Sequence, residues 1–103
     1  MQMVSTSAHI DEIRRRRDRK VMSVFRGYAP VWLIAERVFV EEDAVLFNLV
    51  FQDPTYGWLS RRYRYDEFND VLYHMGERRV SEAEMLSIQQ QAPPYLEGSG
   101  KLQ

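Results

Sequence analysis

The chain has 103 residues, 45% of them apolar and 13% aromatic, which is material for one small domain burying roughly 65% of its unfolded surface and too little for two. Cysteine is absent, so disulfides, thiolate metal centres and a thiol nucleophile are excluded, and a reducing cytoplasm is the expected setting. The net charge of -1 is divided unevenly: residues 1–30 hold seven basic and three acidic groups, the rest of the chain seven and twelve, an asymmetry that favours attraction to a partner or to a second copy.

The N-terminal MQMVSTSAHIDEI has neither the basic nor the apolar region of a signal peptide, and no apolar run approaches 18 residues, so no membrane association is expected. Ser7 is placed to cap a helix, with Asp11 and Glu12 near its positive end. At 100° per residue Ile10, Ile13, Arg17, Val21, Val24 and Phe25 share one face, while Arg15, Arg16, Arg19 and Arg26 point away from it. The helix is predicted to stop before Gly27. Arg14 and Arg17 lie in or beside the apolar stripe, where an unpaired guanidinium is costly, so each is expected to snorkel, to pair with a carboxylate, for which Glu36 is a candidate, or to lie at an interface; the alternative is a helix that begins near Asp18 behind a mobile basic arm.

Three strands follow. VWLIAERVFVE (31–41) is β-branched and aromatic on both alternating faces, residues 44–52 place Val45, Phe47, Leu49 and Phe51 on one side, and WLSRRYRY (58–65) alternates two rows of large side chains. The turns at 42–43 and at Asp53-Pro54-Thr55-Tyr56-Gly57 are short, which predicts an antiparallel meander. Asp66 then reads as the cap of a helix whose Phe68, Val71, Leu72 and Met75 recur at helical spacing and which Gly76 ends. Ser81 and Glu84 form a capping box, with Val80 and Met85 as its staple, opening a last helix that Pro93-Pro94 stops. The reading is an α+β fold: a three-stranded antiparallel meander with one N-terminal helix and two C-terminal helices, spanning 1–94 as a single domain. Residues 1–7 are expected to be mobile at its start, and 95–103 to form a flexible tail.

Twelve of the fourteen basic residues are arginine, most of them in 14–19 and 61–64. Arginine holds carboxylate or phosphate through a planar fork, and here it is interleaved with Trp and Tyr, a composition enriched at interfaces. The candidate interaction surface is Arg15, Arg16, Arg19, Arg26, Trp58, Arg61, Arg62, Tyr63 and Arg64. The function expected from it is a small cytoplasmic protein-interaction module or accessory subunit, self-associating as a homo-oligomer or binding an acidic partner. RNA or single-stranded nucleic acid binding is the alternative, since Arg and aromatic rings also suit phosphates and bases. A small ligand-binding domain is the second. Asp66, Asp70 and His74, with Glu67 nearby, fall on one face of the predicted helix, but a lone acidic face without a supporting segment is a poor ligand set, and His9 has no visible partner. No catalytic, metal or cofactor motif is found, so neither an enzyme nor a cofactor is expected.

Overall fold

The computed structural model describes residues 6–98. Helix α1 (Thr6–Phe25) leads through a turn of 3-10 helix (Arg26–Tyr28) into β1 (Trp32–Phe39). A second such turn (Val40–Glu42) precedes β2 (Ala44–Asp53), β3 (Gly57–Asp66), β4 (Val71–Arg79) and α2 (Glu82–Gln91). The strands form one antiparallel sheet in the order β1-β2-β3-β4. The class is α+β, with four strands and two helices in place of the expected three and three. No described helix is long and apolar enough to cross a membrane.

The correction falls on residues 66–79. The Asp66 carboxylate accepts from the Asn69 N–H and side-chain amide, and Asp70 takes a left-handed conformation at φ 56. Together they close a tight turn where a helix cap was predicted, because Asp and Asn side chains satisfy a turn as readily as a helix start. Val71, Leu72 and Tyr73 then pair with Asp66, Tyr65 and Arg64, as their β-favouring side chains allow. The apparent helical stripe was not a buried face: Phe68 is 85% and Met75 54% exposed.

Helix α1 lies on one face of the sheet, its Ile13, Val21 and Phe25 packed on Val45, Phe47, Leu49, Phe51, Leu59, Tyr63 and Tyr65. The first described helical residue is Thr6, so Ser7 sits inside the helix rather than at its cap. The opposite, outer face carries a smaller cluster at one end only, where Met85 and Ile88 of α2 and the preceding Val80 cover Trp32, Ile34, Val50 and Trp58. Here the sequence signal and the structure agree: Ser81 accepts from the Glu84 N–H while the Glu84 carboxylate accepts from the Ser81 N–H. The Trp32 indole donates to the Ala92 carbonyl at 3.1 Å and fixes the far end of α2. Tyr95 and Leu96, read from sequence as the start of the tail, are held against the sheet by an antiparallel bridge between Val31 and Leu96. The rest of the predicted tail from 99 onward, and 1–5, lie outside the described residues.

Candidate interaction surface

Two irregularities decide where the charged side chains point. Between Ile34 and Arg37 of β1 the register slips, so that Ala35 and Glu36 together oppose β2 where one residue would do, and Ala35 adopts φ 56. A bulge of this kind re-aims a side chain, and it turns Glu36 toward α1. Arg14 Nε donates to Glu36 Oε1 at 2.9 Å and Arg17 donates to Glu36 Oε2 at 2.6 Å, so of the outcomes open to these two arginines it is pairing with a carboxylate that occurs. Arg17 is 3% exposed. It also donates to Asp18 at 2.7 Å and lies 4.8 Å from the centre of the Phe47 ring; Asp18 in turn accepts from the Tyr95 hydroxyl.

Burial alone would raise the Glu36 carboxyl, but the hydrogen bonds from Arg17 and Arg14 outweigh it and hold it below the usual carboxylate range. Burial opposes the charge on Arg17 as well, and its bonds to Glu36 and Asp18 more than restore it. Burial, reinforced by Asp18, pushes the Tyr95 hydroxyl up.

The second irregularity is in β4, where Tyr63 pairs with His74 but Arg62 pairs with Gly76, leaving Met75 as the extra residue. With the β1 bulge, this aligns rows across the outer face. Arg37, Leu46, Arg64 and Tyr73 are successive partners in one row, and Ile34, Asn48, Arg62 and Gly76 in the next. Gly76 brings no side chain up beside Arg62, and a shallow pocket of about 220 Å³ opens there between Asn48, Ser60, Arg62 and Arg78. The Arg37-Leu46-Arg64-Tyr73 row lies beyond the end that α2 covers, while the next row meets that end at Ile34.

The nine residues singled out by sequence therefore do not form one surface. Arg15 and Arg16 both bind Glu12 on the exposed side of α1, and Arg19 of α1 and Arg26 of the 3-10 turn after it are exposed without an ion pair among the described residues. Arg61 belongs to the α1 side, where it donates to Glu77 at 2.7 Å and lies over the Phe51 ring. Tyr63 is a core residue, stacked on Phe47, and Trp58 is edge-on to Trp32 beside α2. Only Arg62 and Arg64 reach the open outer face, Arg64 paired with Glu42 at 3.0 Å and Arg62 exposed with no ion pair among the described residues.

What the sequence reading missed is the company these two keep: Arg37, stacked on Phe39 at 5.1 Å, Leu46, and Tyr73 at 44% exposure. Tyr73 could not be assigned to this row while residues 66–76 read as a helix. The same error undoes the supposed acidic helical face, because His74 lies against Tyr63 at 5.6 Å while Asp66 and Asp70 stay in the turn. The outer face is thus a cationic and aromatic platform bordered by β4, which among the described residues pairs with β3 alone and has one line of its backbone groups without a strand partner. The chain matches no known family model, no curated protein and no solved structure, so its own geometry carries the functional reading.

Proposed function

We propose that this protein is an interaction module that binds an acidic, extended segment of a partner protein on the open half of its outer sheet face. The observation that carries the proposal is the stop of α2 short of the Arg37-Leu46-Arg64-Tyr73 row, next to Arg62, which has no carboxylate partner among the described residues. A segment lying there can add backbone hydrogen bonds along the edge of β4 while its carboxylates meet Arg37 and Arg62. Phe39, Leu46 and Tyr73 offer it apolar contact. Nucleic acid fits less well, because the phosphate-binding term scales with the number of neutralised phosphates and Arg64 and Arg78 are already engaged by Glu42 and Glu84. A cytoplasmic setting and accessory-subunit role go with this reading.

The experiment is a backbone-amide NMR titration with three probes: a synthetic peptide alternating Glu with Val or Phe, an oligouridylate, and increasing concentrations of the protein itself. Saturable shifts from the peptide at Arg37, Arg62 and Tyr73, absent for Arg15 and Arg19, are the expected outcome. Tighter binding of the oligouridylate, concentration-dependent shifts at the same face from self-association, or no response of that face to any probe would each overturn it.

A further inference from the structure

A second constellation lies at the other end of α1, and it draws on three separate stretches of chain. His9 comes from the second turn of α1, Asp43 from the bend between β1 and β2, and Glu67 from the turn after β3. One side-chain ligand atom from each lies within 4.8 Å of the others. His9 Nε2 is 2.7 Å from Asp43 Oδ1 and 3.8 Å from Glu67 Oε1. The two loops are fastened to one another by the Glu67 N–H, which donates to the Asp43 carbonyl at 2.8 Å, and Asp43 is held in the left-handed region at φ 52.

The telling residue is Glu67. Its side chain is only 15% exposed, yet its carboxylate accepts no hydrogen bond from a described residue. Its ion pairs are long: His9 Nε2 stands at 3.8 Å and Arg16 Nε at 3.6 Å, and Arg16 Nε also donates to Glu12 at 2.9 Å. A carboxylate so largely removed from water gains from a closer positive partner than these two provide. The imidazole and carboxylate it faces are both metal ligands.

We propose that His9, Asp43 and Glu67 form a binding site for a divalent first-row transition ion. One neutral imidazole and two carboxylates neutralise a dication, and a ligand set containing nitrogen suits zinc, iron or cobalt better than magnesium or calcium, which prefer oxygen alone. Metal bonds of about 2.0–2.2 Å bring three ligand atoms to roughly 3–3.5 Å apart, so the His9–Asp43 contact loosens slightly and Glu67 moves in by about 1–2 Å. Three protein ligands leave at least one position for water. The ion also links the start of α1 to both loops at that end of the sheet.

The test uses the full chain and zinc or cobalt as the probe. Calorimetric titration with Zn2+ is expected to give a single saturable site, weakened at least tenfold in His9→Ala and in Glu67→Gln and unchanged in His74→Ala. Titration with Co2+ is expected to bring up visible d-d absorption in the wild-type protein and not in Glu67→Gln. Far-ultraviolet circular dichroism verifies that each variant is folded, and the cobalt spectrum of the wild-type protein needs no variant at all. Equal affinity in the His9 and Glu67 variants, loss of binding in His74→Ala, or no cobalt absorption in the wild-type protein would overturn the assignment.

Discussion

The two faces of the sheet use the same side chain in opposite ways. Toward α1, Arg17 is enclosed between ring faces and held by two carboxylates, one aimed by a bulge in β1 and the other its own neighbour. On the outer face Arg62 stands exposed beside a glycine, with Asn48 as its partner on the other side and no carboxylate among the described residues. What separates them is the backbone rather than the local sequence. A one-residue slip in β1 brings Glu36 under the helix, and a one-residue slip in β4 sets Gly76, which has no side chain, opposite Arg62. Arginine density is therefore a poor measure of binding capacity, and the number left unanswered once the strands are paired is a better one.

The largest effect that would break this contrast is on the α1 side. Arg17→Ala is expected to destabilise the fold by about 3 kcal/mol, because it removes a buried guanidinium packed on Phe47 and leaves the half-buried Glu36 with Arg14 alone. Urea denaturation monitored by circular dichroism measures it. Combining it with Glu36→Gln should recover part of the loss, since the under-compensated charge is removed with its partner. A strictly additive double mutant would show that the two residues do not work as a pair.

Acid sharpens the same point with a smaller loss. The Glu36 carboxyl is held below its ordinary range in the folded state, so its stabilisation is complete above the unfolded value of about 4.3 and disappears as pH falls through the folded value. Asp66, lowered by its hydrogen bond from Asn69, and Asp70, lowered by those from Tyr65 and Lys20, titrate in the same sense, though both are exposed and contribute little. The urea midpoint of the wild-type protein should therefore decline below about pH 4.5 more steeply than that of Glu36→Gln. Parallel declines would remove Glu36 from the account.

How much of this could be read from the sequence depended on how local the signal was. The capping box at Ser81 and Glu84 is complete within four residues, and it stands as predicted. The Arg17 and Glu36 pairing was legible as one option because a guanidinium on an apolar stripe demands an answer and the following strand carries Glu36 in its middle. Residues 66–76 misled, because Phe68, Val71, Leu72 and Met75 fit a helical period while Asp66 and Asn69 had the chemistry of either a cap or a turn. Only the pairing of Val71 to Arg79 with β3 decides between them, and that is a long-range fact. Both bulges were invisible for the same reason, and with them the grouping of Arg37, Leu46, Arg62 and Tyr73. His9, Asp43 and Glu67 are separated by 34 and 24 positions and share no spacing that a sequence can display.

The cap over the covered end of the outer face gives the next effect. Ser81→Ala removes the acceptor for the Glu84 N–H and should cost about 1 kcal/mol. The mutation tests whether α2 is what divides the outer face, since a loosened α2 should raise the hydrogen exchange of amides around Trp32 and Trp58 and leave those of β4 near Tyr73 unchanged. If exchange rises evenly over the sheet, the covered and open ends are not independent.

The smallest effect on stability is the most diagnostic for function. Arg62→Ala and Arg37→Ala remove exposed guanidiniums that satisfy no buried partner, so each should change the urea midpoint by less than about 0.5 kcal/mol equivalent. The same substitutions should weaken binding of the acidic peptide severalfold, because a charge-assisted contact is lost while the platform stays intact. Arg19→Ala, an equally exposed and unpaired arginine on α1, serves as the matched control and should leave both quantities unchanged. If Arg19→Ala weakens the peptide as much as Arg62→Ala, the interaction is a diffuse attraction to positive charge, and the distinction between the two faces holds for stability alone.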